Sequence, residues 1–588
     1  MKLKFWGPVL LATLLYVVVF FAWTWPLGGH LASAFPAVPH RDAYIFLWNV
    51  WHFREAVVSG TNPFFTDWLL YPTGASLVMH AYTPLIGLVN LLVGNEMLAV
   101  NLTMLGSYAL SGTGAYLLCR RWVRSPVLSW LAGLIFAFSP YKLQRLPEHY
   151  NLVLTAAVPF YVLAFLAAFQ WEAGRFLPVI RSRKAVAWCF GLGFVTLLSD
   201  YYVLFGLLYF SLAYALWYWL RLGQISWRRP RPWLVLIVIL ILSHIAIRLL
   251  RLSKLSDNGG FWWGGDVIGY LAPPQTSRWL DFAWARSLYV NPKIYNMPDT
   301  LENVMFLGYA IPLLGLGLAL WPRRAASVRR LDADGRPLAW VLLFFVMLTM
   351  PALQIFGKQR LNLPTGILHF IPFFNNIRCP TRWVMMVSLL LPVVTFSALE
   401  AWWQPRLRPG LQWALSLFLL GCVAVEYWPK PLPVTYNAGL PPVYREAARL
   451  PGKVLFPIPV GLLDGRRLLG VMEPENFFYQ TRHRKKLPTA YFSRIDEARF
   501  ADFDQDPVMH TLLALQKAPA DTVFAAPRPA QAAAFRRHFR PDLLVINPAW
   551  RNSPAHRYLR QVFPDFAERT FPDGYVLLAP APTPRPTP

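Results

Sequence analysis

Apolar residues in this chain come in long unbroken runs, not in the alternating or one-faced patterns of a water-soluble fold. Such runs lie near 5–27, 97–118, 152–170, 233–250, 303–321, 338–356, 383–403 and 410–427. Each can carry a helix across a hydrocarbon core ~30 Å thick. The run 126–139 is shorter and reaches spanning length when extended to about residue 142. Residues 185–220 form one apolar stretch broken only by Asp200. As a single helix it would measure ~54 Å at ~1.5 Å per residue. Two helices meeting near Ser199-Asp200-Tyr201-Tyr202 are therefore predicted. The pattern predicts an α-helical polytopic membrane protein with about 11 transmembrane helices.

Charge then orients the spans. With the N-terminus inside, the cytoplasmic connections carry Arg120, Arg121 and Arg124; Arg175, Arg181, Arg183 and Lys184; and Arg221, Arg228, Arg229 and Arg231. Further along they carry Arg323, Arg324, Arg329, Arg330 and Arg336, then Arg406 and Arg408. Every expected inner loop is basic, as the positive-inside rule requires. The run 83–94 (TPLIGLVNLLVG) is too short to cross and is expected as an interfacial helix. The outer segments are then 28–96, 140–151, 251–302 and everything after about 428. The first span follows a basic start (MKLK) and precedes Ala32-Ser33-Ala34, which resembles a signal-peptidase site. Its apolar core exceeds the ~7–15 residues of a signal peptide, so an uncleaved first helix is expected.

Residues 1–428 thus form a transmembrane domain whose first outer loop, 28–96, carries interfacial helices. Residues 429–575 read as an extracytoplasmic α/β domain, with short strands at Val454-Leu455-Phe456 and Asp542 to Ile546. Residues 576–588 take in most of a final strand, Tyr575-Val576-Leu577, and a Pro-rich tail (APAPTPRPTP) expected to be disordered.

Composition agrees with this. Of 588 residues, 56% are hydrophobic and 15% charged, and the mean hydropathy is +0.37. The formal charge of +26 would suggest nucleic acid in a soluble protein. Much of it lies in short loops between spans, so no nucleic-acid partner is expected. The cysteines, Cys119, Cys189, Cys379 and Cys422, have neither metal-ligand spacing nor the look of a disulfide framework. No Walker loop, dinucleotide fingerprint, HExxH or GxSxG is present.

Candidate chemistry concentrates at the outer rim. The first outer loop reads HRDAYIFLWNVWHFREAVVSGTNPFFTDWLLYPTG. Tyr44, Leu47, Trp48, Trp51 and Val58 recur at helical spacing and predict an amphipathic interfacial helix. Asp42, just before it, can accept a proton from an acceptor or hold a divalent cation; equally, it can cap the helix. Asp67 reads as a loop residue. The second outer loop, SPYKLQRLPEHYN, brings Glu148 and His149, which could complete an acid/base or metal constellation with Asp42 or remain solvated. Asp200, a carboxylate inside an apolar run, faces a cavity or partner, or sits at a hairpin tip. Arg378 and Arg382, in Asn375-Asn376-Ile377-Arg378-Cys379-Pro380-Thr381-Arg382, can grip a phosphate or snorkel to headgroups.

The order of these features resembles the GT-C glycosyltransferases. One span is followed by a long outer loop that opens on an acidic residue and carries a helix. A span ending in Cys119-Arg120-Arg121 follows, then a span ending in Ser139-Pro140. The segments DAYIFLWNVWH, NPFFTDWLLYPTG, FAFSPYKL, EHYNLVL, ENVMFLGY, NIRCPTRW and FFYQTRHRKKLPTAYFSR are similar to those of a bacterial branch of that superfamily. The resemblance covers most of residues 1–400 and, more loosely, 470–495. It implies a GT-C-like architecture in a bacterial cytoplasmic (inner) membrane. It also implies transfer of a hexosyl or pentosyl sugar, with inversion, from a polyprenyl-phosphate-linked donor to an unknown acceptor on the extracytoplasmic face. By the same resemblance Asp42 is the catalytic residue and Glu148 a second acidic one. His149, Asp200, Arg378 and Arg382 are candidates for substrate binding. Asp42 stands in Arg41-Asp42-Ala43 without a DxD pair, so a divalent cation is not established by the motif. Two other readings stay open: a transporter or flippase for lipid-linked envelope precursors, and a non-catalytic scaffold for envelope assembly.

Overall fold

The computed structural model describes residues 2–173, 175–222, 234, 262–320, 335–370, 377–404, 406–465 and 467–581. It divides into two compact units. One comprises residues 1–31, 101–250 and 257–433, the other residues 32–100, 251–256 and 434–588. The first outer loop therefore groups with the C-terminal domain and not with the transmembrane helices expected to own it.

The first unit is helical. Among the described residues five helices are long and apolar enough to cross a membrane: Trp6–Trp23, Pro126–Arg145, Tyr201–Arg221, Pro380–Trp403 and Pro409–Tyr427. A sixth is added if Pro84–Val93 and Glu96–Arg120 count as one broken span. The chain is a multi-pass membrane protein. Three expected spans are shorter apolar helices here, Ala157–Ala168, Ala310–Leu320 and Arg336–Thr349. The expected span 233–250 lies outside the described residues. The run 185–220 is two helices, Arg183–Leu197 and Tyr201–Arg221, divided at Asp200.

Helix Val384–Trp403 lies at the centre, packed on Pro126–Ala137, Ala310–Leu320 and Arg336–Thr349. Its span is 83% buried, against 28% for Trp6–Trp23 and 22% for Pro409–Tyr427. Helices that keep apolar side chains uncovered by protein fit a lipid-facing position, because lipid is as apolar as leucine. Small residues set the closest contacts. Tyr16 lies against Gly112 and Gly133, where an added Cβ would overlap its ring or hydroxyl, and its hydroxyl donates to the Trp130 carbonyl at 2.8 Å.

The second unit is α/β. A four-stranded sheet runs in the order Phe566–Thr570, Val576–Pro580, Leu543–Ile546, Leu455–Ile458. The last two are parallel and fully buried, as expected when helices cover both faces of a parallel pair. A smaller sheet joins Leu468–Gly470, Gly461–Leu463 and Ala490–Tyr491. Residues 32–100 enter this unit by backbone and by core. Ala34–Pro36 pairs antiparallel with Val434–Tyr436, while Trp48, Trp51, Leu69 and Leu77 share one apolar cluster with Phe477, Leu487 and Phe492.

This corrects the reading of helix Ala43–Val58 as amphipathic and interfacial. Every residue from Ala43 to Phe53 is buried. Helices Pro84–Val93 and Glu475–His483 both pack on it. Two of its polar groups are met by protein: Trp48 Nε1 donates to Gln480 Oε1 at 2.6 Å, and Asn49 Nδ2 to the Ala81 carbonyl at 3.2 Å.

Candidate functional site

Asp42 stands immediately before helix Ala43–Val58, and its carbonyl accepts from the Ile45 and Phe46 N–H groups at 3.0 and 3.2 Å. A capping side chain reaches the first N–H groups of its helix when its own backbone is extended. Asp42 is helical instead (φ −65°, ψ −21°), and its carboxylate makes no capping bond. Oδ1 accepts from the Tyr491 hydroxyl at 2.7 Å.

Tyr491 is placed by the small sheet, where Leu463 pairs with Tyr491 in parallel register. Two residues on, the Ser493 N–H donates to His80 Nδ1 at 3.1 Å, and Ser493 Oγ accepts from the Ala81 N–H at 3.0 Å. Phe492 is buried and meets the His80 ring edge-on, with centroids 5.2 Å apart. Burial pushes the His80 pKa down to about 3, against the pull of Asp42. The ring is therefore neutral near pH 7. Since Nδ1 is an acceptor, its proton sits on Nε2.

The segment carrying Tyr491 is tied to the first loop at several further points. Arg482 meets Glu96 at 2.7 Å, Arg484 pairs with Glu55 and Lys486 with Asp67. Gln480 Nε2 donates to the Trp68 and Lys485 carbonyls, both at 2.8 Å.

The other candidates belong to the first unit, where four of the segments singled out in the sequence meet. Asp200 caps helix Tyr201–Arg221: Oδ1 accepts from the Tyr202 and Val203 N–H groups at 2.7 and 3.2 Å. Its Oδ2 accepts from Asn151 of EHYNLVL at 2.5 Å. Glu302, which opens ENVMFLGY, accepts from the buried Arg145 at 3.0 Å and from Arg382 of NIRCPTRW through Nε, also at 3.0 Å. A second Arg382 nitrogen pairs with the other Glu302 oxygen. The Arg382 guanidinium also lies 4.7 Å from the Tyr202 ring centre. Burial alone would raise the Glu302 pKa. Arg382 and then Arg145 outweigh it and hold the carboxyl well below the usual range.

His149 acts on Glu302 electrostatically, and the Glu148 N–H donates to the Arg145 carbonyl at 3.0 Å. The Arg378 N–H donates to the Tyr202 hydroxyl at 3.0 Å. Lys142 is 1% exposed; its ammonium donates to Ser111 Oγ and Thr155 Oγ1, each at 3.0 Å, and lies 4.4 Å from the Tyr108 ring centre.

Asp200 and Arg382 are thus brought together around Glu302 and Tyr202, with Arg378 joined through backbone and His149 through charge. Asp42 belongs to the other unit. Sequence reasoning gave no role to Arg145, Glu302 and Lys142 in one unit or to His80, Tyr491 and Ser493 in the other. The available signal was proximity to motif: Lys142, Glu302, Tyr491 and Ser493 all fall inside segments already quoted as similar to a known branch. Among the described residues no three His, Cys, Asp or Glu side chains converge as ligands for a metal ion.

A family model described as a domain of unknown function, DUF6311, matches residues 9–428. No curated protein matches the sequence. Among solved structures, the oligosaccharyltransferase of Archaeoglobus fulgidus aligns at 12% identity and TM-score 0.44, over 99% of this chain and 75% of that one. The arabinofuranosyltransferase AftD from Mycobacteria aligns at 14% and 0.46, over 98% of this chain and 41% of that one. ArnT from Cupriavidus metallidurans, solved bound to undecaprenyl phosphate, aligns at 12% and 0.43, over 98% of each chain. At these identities and scores, nothing those proteins bind or transfer carries over to this chain.

Proposed function

Since this chain belongs to the DUF6311 family, whose description names no activity, we propose a function from its residues: a membrane glycosyltransferase drawing on a polyprenyl-phosphate-linked sugar. The acceptor lies on the extracytoplasmic face. Asp42 takes the proton from the acceptor hydroxyl as its oxygen attacks the anomeric carbon. The bond from that carbon to the carrier phosphate breaks, the polyprenyl phosphate leaves with the electron pair, and the configuration inverts.

The observation that carries this reading is the conformation of Asp42. A carboxylate at a helix N-terminus is ordinarily spent on capping, and this one is not. It is oriented by a side-chain donor and left oriented as a base should be. Arg382, proposed from the sequence to bind phosphate, has its fork on Glu302.

The test is sugar transfer from a panel of radiolabelled polyprenyl-phosphate sugars, using membranes with wild type or Asp42→Asn at equal expression. Transfer by wild type alone supports the reading. Equal transfer by both removes Asp42 from it.

Transport of an envelope precursor is favoured by one observation. Lys142 is buried within the span Pro126–Arg145, and ionisable groups inside spans often line a substrate path. If transport is the function, Lys142→Met stops passage of a labelled lipid-linked sugar across vesicles while sugar transfer remains absent in wild type.

A further inference from the structure

We propose that Tyr491 is the positioning residue for Asp42. Its hydroxyl holds Oδ1 so that the carboxylate presents a fixed oxygen to the acceptor. This rests on the reading of Asp42 as the base and adds a partner from the far end of the chain, 449 residues away.

An aspartate on a helix N-terminus has two rotatable side-chain bonds, and capping would ordinarily immobilise it. With no capping bond, the 2.7 Å contact from Tyr491 takes over that role. The hydroxyl is itself well placed. Strand Ala490–Tyr491 is fixed by its register against Leu462 and Leu463, and Ala490 and Phe492 on either side are fully buried. The chain beyond is pinned where the Ser493 N–H meets the buried His80. A phenol that only stiffened the fold would not need to be aimed at a carboxylate that its own helix leaves uncapped. Tyr491 and His80 both face Asp42; Arg41 adjoins Asp42 in sequence, and Arg494 follows Ser493.

A donor on Oδ1 also steadies the ionised carboxylate, so the base stays ready at lower pH than it otherwise would. Tyr491→Phe keeps the ring and removes only the hydroxyl. With a donor that wild type consumes, in full-length protein in membranes, this variant should lose about 10–100-fold in kcat. The donor KM should change less than about threefold. The acid limb of the rate profile between pH 5 and 9 should move up by about one unit. Wild-type rates with an unmoved acid limb would overturn the inference while leaving Asp42 as base. Full transfer by Asp42→Asn overturns both.

A second measurement needs no activity. Thermal unfolding of wild type, Asp42→Ala, Tyr491→Phe and the double variant should show that the two substitutions do not add. Strict additivity means that the bond does not form, and the inference falls.

Discussion

Asp42 and Asp200 occupy the same place in the sequence logic of their helices, yet the two units use them differently. Asp200 is extended (φ −163°, ψ 140°) and closes the first turn of its helix, with its second oxygen on Asn151. Asp42 has helical backbone angles and turns its carboxylate to a tyrosine from another element. The same contrast runs through other acids. Glu302 in the first unit is held ionised between two arginines. Glu473 in the second is pushed up to about 7, chiefly by burial, against the Asn547 amide and with the help of Glu475. Asp200 and Glu302 hold elements of their unit together, whereas Asp42 takes a side-chain donor from another element and Glu473 is raised by burial. Residue type at a helix start does not decide this. Backbone conformation and the donors within reach do.

The comparison breaks first if Asp42 proves structural. Asp42→Asn should cost ~10²–10⁴-fold in transfer, the range of a lost general base, and leave the melting temperature of the detergent-purified protein within a degree or two. A large loss of stability with the rate intact would make it a second Asp200.

Glu302→Gln should do the reverse. It leaves two buried guanidinium groups without their counter-charge, a loss of ~3–5 kcal/mol read by denaturant or thermal unfolding. The folded-state pKa of Glu302 is depressed, so its contribution is complete above the unfolded value near ~4.3 and fades only as pH falls through the lower folded value. Wild-type stability should show no loss from this group between pH 5 and 8.

Asp200→Ala should cost ~2 kcal/mol, combining a lost cap with an Asn151 amide left unpaired. Asp200→Asn should keep part of it.

The smallest effect sharpens the contrast. Glu473 is protonated in the folded state at pH values where the unfolded chain has already ionised. Stability should therefore fall as pH rises from ~4.5 to ~7, by about 1 kcal/mol after allowance for its partial exposure. Glu473→Gln should flatten that slope in a pH series of melting temperatures.

Much of the architecture was legible because it is local. Asp200 interrupts an apolar run, and the chain breaks there. The strands expected at 454–456, 542–546 and 575–577 are found at Leu455–Ile458, Leu543–Ile546 and Val576–Pro580. Helix Ala43–Val58 shows where this stops. Its tryptophans suit a bilayer boundary equally well as a protein core, and only Phe477, Leu487 and Phe492, more than 400 residues on, reveal which they serve. Asp42 was readable as a candidate from its place in the loop. Its partner was not, since no local pattern links it to Tyr491. Glu302 escaped for the same reason: in sequence it is an acid beside an apolar run, and its meaning comes from Arg145 and Arg382.

That ionic knot also sets an order on synthesis. Arg145 is made 157 residues before Glu302, and Arg382 another 80 after it. While the chain is emerging, Arg145 must stay near water or borrow a lipid phosphate, because its counter-ion does not yet exist. The helix that carries it can settle only when Glu302 arrives, and the site closes only when Arg382 follows. A chain stalled or cut between residues 145 and 302 would hold a cation with nowhere to bury it, which is the kind of defect a membrane quality-control protease can detect.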